Sequence, residues 1–139
     1  MMKFTMMLLI AGLWLGGAER CSESRFFEAL GQIESGGDPA AIGDNGGAVG
    51  VYQIQEVYVD DVNRILGKRV FTYSDRRDPA QSKRMVTIYL QHYATERRLG
   101  RAVTVTDMAR IHNGGPNGWK KKATLAYGEK FERIYDAPY

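Results

Sequence analysis

A carboxylate sits inside the apolar stripe of the first helical pattern in this chain. Phe26, Phe27, Leu30 and Ile33 recur at the spacing of one helix face, and Ser35-Gly36-Gly37-Asp38-Pro39 stops the pattern. On a wheel turning about 100° per residue, with Phe26 at zero, Leu30 falls near ~40°, Phe27 near ~100° and Glu34 near ~80°. Glu34 therefore points with the core-forming residues. Ionising a carboxyl among apolar neighbours is costly, and a carboxyl that keeps its proton near neutrality is what a general acid needs. The wheel leaves a second reading open, with Glu34 in the last turn as a capping or salt-bridge residue.

The rest of the chain reads as further helices between polar, glycine-rich loops. Val51 to Leu66 is a second helix ended by Gly67. Asp78-Pro79 starts a third, which carries Met85, Ile88, Tyr89 and His92 on one face and is closed by Gly100. Thr106 to Asn113 is a fourth, and Thr124 to Tyr135 is the last, with Tyr127, Phe131 and Ile134 along one side. Strand patterns are scarce; Lys68 to Tyr73 and Arg101 to Val105 are short β-branched candidates. The expected class is mainly α, with at most a small β element, in a single domain.

The N-terminus reads as an export signal. Lys3 precedes an apolar run from Phe4 to Leu15, and Gly16-Gly17-Ala18 offers small residues for cleavage after Ala18. The run is shorter than the roughly 20 residues of a membrane-spanning helix. The expectation is a leader over 1–18, a catalytic domain over 19–139, and a secreted or periplasmic monomer with no stable span after processing. An uncleaved anchor is the alternative. Cys21 is the only cysteine, so no internal disulfide can form, and Arg20 before it argues against lipidation. The formal net charge of +3 suits an acidic polymer but is not the dense basic stripe of a nucleic-acid binder. His92 and His112 are the only histidines and have no cluster of acidic or cysteine partners in sequence, so no metal and no cofactor are expected.

The stretch Ile33 to Ile54 reads IESGGDPAAIGDNGGAVGVYQI, and Ala109 to Trp119 reads ARIHNGGPNGW. The first resembles the soluble lytic transglycosylase domain, in its Glu34-Ser35 pair, glycine-rich loop and Gly50-Val51-Tyr52-Gln53 element. The second resembles invertebrate-type (destabilase) lysozymes, as do Gln53-Ile54 and Tyr58. Both belong to the lysozyme-like superfamily, and the resemblance spans about Phe26 to Ile134. It implies a lysozyme-like fold with Glu34 as the catalytic acid and Gln53 as a support of the cleft. It places Asp44 near the second carboxylate of invertebrate-type lysozymes, with a one-residue gap. His112 and Asn113 fall where transglycosylases hold a Tyr-Asn pair beside the substrate, and Tyr127 falls near a tyrosine that approaches the acid. The chain departs from these relatives in its lack of disulfides, in His112, and in Gly128 where an aromatic is common.

Each residue also has a plainer role. Asp44 in Gly43-Asp44-Asn45-Gly46-Gly47 is either a turn residue or a second catalytic carboxylate. Asn113 before Gly114-Gly115 fits a helix C-cap. Tyr52, Tyr58, Trp119 and Tyr127 are either core or sugar-stacking aromatics, with Trp119 the one expected to be exposed. The lysines 120–122 read as a solvated face. The expectation is a peptidoglycan-cleaving glycosidase that cuts the β-1,4 bond between N-acetylmuramic acid and N-acetylglucosamine, with Glu34 and Asp44 catalytic and Ser35, Tyr52, Gln53, His112, Asn113 and Tyr127 contacting substrate. The alternatives are a lytic transglycosylase, which needs one carboxylate and leaves 1,6-anhydro-muramic ends, and a silent wall-binding module.

Overall fold

A computed structural model describes residues 17–138. The expected leader, residues 1–18, lies almost wholly outside them. Helix α1, Gly17–Ser35, begins earlier than its apolar pattern, and Ser24 lies in its interior with its hydroxyl on Glu28. Its buried face is Phe26, Phe27, Ala29 and Leu30. It packs against the last helix, α6 (Leu125–Tyr135), through Phe26 and Phe131, whose ring centroids are 5.6 Å apart. Arg25 closes this pair by donating to the Tyr135 and Ala137 carbonyls, at 2.6 and 2.7 Å.

Between Ile42 and Gln55 the chain forms a three-stranded antiparallel sheet with two residues per strand: β1 (Ile42–Gly43), β2 (Ala48–Val49) and β3 (Ile54–Gln55), in that order. Ile42 faces Val49, and Val49 faces Ile54. Helix α2 therefore runs Glu56–Leu66 and not from Val51. The reason is local: Gln53 takes φ 51°, and Ile54–Gln55 spend their backbone groups on β2. The two strands expected elsewhere are absent. Residues 70 and 71 instead bond the side chain of Asn63, which accepts from both amides at 2.9 Å and donates to the Phe71 carbonyl. Thr104, in the other segment, is the N-cap of the next helix.

Asp78 caps helix α3 (Pro79–Tyr93) by accepting from the Gln81 amide. Its buried face runs through Ser82, Met85, Val86, Tyr89 and Leu90, which leaves His92 exposed rather than on the inner side. A short helix α4 (Glu96–Leu99) follows and ends at Gly100. Helix α5 (Val105–Gly114) is central, with Ala109 and Ile111 fully buried against α3 and α6. Gly128 is buried where α6 crosses the Arg110 and Thr106 side chains, a close approach that an aromatic would prevent.

Arg76 pins the sheet to this helical body. It is buried and donates to the carbonyls of Tyr73, Gly47 and Ile54, while the Ser82 hydroxyl bonds its own carbonyl. A buried guanidinium is tolerated when its donors are satisfied in this way. No helix among the described residues is long and apolar enough to cross a membrane.

Candidate active site

A groove of about 860 Å³ runs between the sheet, α2 and the end of α5. Glu34, Asp44, Gln53, His112 and Asn113 all line it, so the structure brings together five of the eight residues singled out from sequence. Ser35, Tyr52 and Tyr127 lie behind that lining and hold parts of it.

Glu34 enters from the last turn of α1, with its side chain 15 % exposed. Tyr127, from the first turn of α6, donates its hydroxyl to Glu34 Oε1 at 2.6 Å. Burial, and then the Glu34 charge beside it, push the Tyr127 phenol far above its ordinary range, so it stays a donor at any working pH.

His112 comes within 3.7 Å of Glu34 Oε1 through its Nε2. That nitrogen also lies 2.9 Å from the Tyr52 carbonyl, which can only accept, so Nε2 carries a proton. Nδ1 lies 3.1 Å from the Tyr58 hydroxyl. Tyr58 is buried and stacks on Tyr89 at 3.9 Å, and burial raises its phenol well above the ordinary value. The His112 ring is held from both ends. His112 thus ties α5 to the turn that carries Tyr52, and presents an N–H edge toward Glu34.

The turn from Gly50 to Gln53 is held from beneath. The Ser35 hydroxyl donates to the Val51 carbonyl at 2.8 Å and accepts from the Asp38 amide. Gln53 donates through Nε2 to the carbonyls of Gly50 and Ala41 at 2.9 and 3.2 Å, bracing the sheet. Gly50 takes φ 89°, and a Cβ there would collide with the Arg76 carbonyl. Tyr52 turns its ring into the core against Phe27, and burial raises its phenol too.

Asp44 also lines the groove, from the turn between β1 and β2. It and Asn45 have φ of 49° and 55°, which non-glycine residues rarely adopt. Its Oδ2 accepts from Gln55 Nε2 at 3.1 Å, which fixes the exposed carboxylate at the groove edge. Such backbone strain clusters at functional sites. Asn113, Gly114, Gly115 and Pro116 line the groove at the end of α5 and form its rim there.

Trp119 is not the exposed aromatic that its polar loop suggested. It is half-buried against the core, between the cations of Arg101 and Lys120, and its indole N–H has no acceptor among the described residues. Sequence reasoning also missed the far end of the groove. There Asp61 accepts from Arg64 and from the Tyr93 hydroxyl, both at 2.6 Å, and Asp60 accepts from Tyr73 at 2.9 Å. The acidic pair in Val59-Asp60-Asp61-Val62 was the available signal. No group of three or more His, Cys, Asp or Glu side chains that could hold a metal occurs among the described residues.

A helical body capped by a small antiparallel sheet, with a carboxylate at the end of the first helix on the groove between them, defines a glycoside-cleaving enzyme of the lysozyme type. Residues 23–134 match the family model described as Destabilase, and the chain belongs to that family. It is similar to a chain in the crystal structure of Aeromonas hydrophila PliI in complex with Meretrix lusoria lysozyme. The identity is 28%, over 79% of this chain and 88% of that one, with a TM-score of 0.67. The inhibitor-bound lysozyme from Meretrix lusoria gives the same identity and coverage at a TM-score of 0.66. No curated protein matches the chain.

Proposed function

We propose that this enzyme hydrolyses the β-1,4 bond between N-acetylmuramic acid and N-acetylglucosamine in peptidoglycan. Glu34 is the general acid and Asp44 the second carboxylate. The observation that carries this reading is the Tyr127–Glu34 hydrogen bond at 2.6 Å in a groove that Asp44 also lines. Glu34 delivers its proton to the glycosidic oxygen, and the Tyr127 hydroxyl steadies the carboxylate left behind. Asp44, in the same groove, supports the developing charge or directs water to the sugar carbon, as paired carboxylates do in glycosidases. Gln53 and Asn113 contact the glycan, while Ser35, Tyr52 and His112 hold the groove in shape.

The test is mass spectrometry of sugars released from purified peptidoglycan by the wild-type protein and by Glu34→Gln. Products with reducing muramic acid, lost in the variant, support hydrolysis. Products ending in 1,6-anhydro-muramic acid would move the enzyme to the transglycosylase route, where Glu34 acts alone and Asp44 is a turn residue. Equal product from both proteins would remove Glu34 from the mechanism. The same reading has residues 1–18 removed on export, so that a monomer acts outside the cytoplasm. Exported protein whose mass still includes Met1 would overturn that part.

A further inference from the structure

The groove and the surface beyond its rim carry opposite charge. Four carboxylates line the groove, Glu34, Asp44, Asp60 and Asp61, with one cation, Arg64, whose guanidinium is committed to Asp61. The stretch 19–61, which supplies all four, contains nine acids and two cations. Residues 97–128 invert this, with seven cations and one acid, Asp107, and that carboxylate is buried under Arg101.

Five of the seven cations of the second stretch lie on or beside the segment 114–122. Arg98 donates to the Pro116 carbonyl at 2.9 Å and to Asn117 at 3.3 Å, on the outer side of the groove rim. Arg101 and Lys120 both lie over the Trp119 ring, 5.6 and 5.5 Å from its centroid. Lys121 reaches the Gly114 carbonyl at 2.6 Å, and Lys122 follows it. All five side chains are exposed. Gly114 and Pro116 belong to the groove lining, so the basic face starts where the acidic groove ends.

Exposed charges are screened over roughly 8–10 Å at physiological salt, so each field acts mainly on the part of a long ligand nearest to it. A polyanion is repelled from the groove and held beyond its rim. Resting on the wall-glycan reading above, we infer that the Arg98–Lys120–Lys121–Lys122 face, beside the Arg101–Asp107 pair, docks a phosphodiester-bearing polymer attached to the wall while the sugar strand occupies the groove. Repeated phosphates match a spread of guanidinium and ammonium groups along one edge. A membrane-binding face needs apolar side chains among its cations. Of the exposed large apolar residues, only Leu125 falls in the basic stretch.

The test uses Glu34→Gln protein, which leaves walls intact, in co-sedimentation with sacculi bearing poly(glycerol phosphate) and with the same sacculi stripped of it. Binding to the decorated sacculi should be about tenfold tighter at low salt, and this advantage should fade as salt rises. Adding Lys120→Gln and Lys122→Gln should remove most of the advantage and leave binding to stripped sacculi unchanged. With Glu34 present, the same two substitutions should leave cleavage of short strands from stripped wall unchanged. Equal binding to both kinds of sacculi, or equal binding by both proteins, would overturn the inference. So would tighter binding to phosphatidylglycerol vesicles than to poly(glycerol phosphate), or a low-salt dimer that the lysine substitutions dissolve. Failure of the wild-type protein to cut stripped strands would count against the glycan chemistry instead, because the docking comparison uses no turnover.

Discussion

The hydroxyl of Tyr127, in the first turn of the last helix, donates to Oε1 of Glu34, in the last turn of the first, at 2.6 Å across 93 residues of sequence. Packing of α1 on α6 brings the two together, so the site depends on the same contact that joins the ends of the described chain. The bond engages one of the two carboxylate oxygens that Glu34 brings to the groove.

Tyr127→Phe removes that donor and keeps the ring. A hydrogen bond to a charged group contributes about 1.5–3 kcal/mol, so kcat is expected to fall by roughly ten- to a hundredfold. KM should change little, since Tyr127 does not line the groove. Steady-state kinetics on solubilised glycan strands check both parameters, and a fall in kcat smaller than about twofold would contradict the role.

Asp44→Asn separates the two chemistries open to a lysozyme-like groove. If Asp44 is the second carboxylate, kcat should fall by roughly a hundredfold or more, within the usual range for a positioned acid–base group. Gln55→Ala, which only frees Asp44 Oδ2, should give a smaller fall. Near-wild-type activity in Asp44→Asn would leave Asp44 as a turn residue.

Gly50→Ala tests the support under the groove. The added Cβ meets the Arg76 carbonyl at a backbone φ of 89°. Overpacking and left-handed strain together are expected to cost about 2–4 kcal/mol. Thermal unfolding should show the loss directly, and activity should fall as well because Gln53 sits on the same turn.

Asp107 predicts a loss of stability in acid. Burial disfavours its charged form, but the hydrogen bonds from Arg101 and Thr104 outweigh that and hold the carboxyl below its ordinary range. A depressed native value means the stabilisation is present above the unfolded carboxyl's range and disappears as pH falls through the native one. Asp107→Asn should therefore destabilise by about 2 kcal/mol near neutrality, and the difference from wild type should shrink as pH falls below the ordinary carboxylate range. Denaturant titrations at several pH values measure it.

Helices announced themselves in the sequence where their signals are local. Asp78 and Pro79 start α3 as expected, Gly67 ends α2, and Tyr127, Phe131 and Ile134 mark the inner side of α6. The sheet did not, because strands of two residues have no period to detect, and its turns at Asp44 and Gln53 use positive φ without glycine. The β-branched runs that looked like strands satisfy their backbone through Asn63 and through the Thr104 cap instead.

What the sequence alone determined was the mainly helical class, the inward direction of Glu34, and the order of motifs that marks the lysozyme-like family. Each follows from neighbours a few residues apart or from residue types in a fixed order. Only the tertiary structure decided that the Tyr127 hydroxyl bonds Oε1 of Glu34, that His112 is held between Tyr58 and the Tyr52 carbonyl, and that Arg76 fastens the sheet to the helices. Those contacts join groups more than 20 residues apart. Their geometry comes from how the helices pack, which no local pattern records.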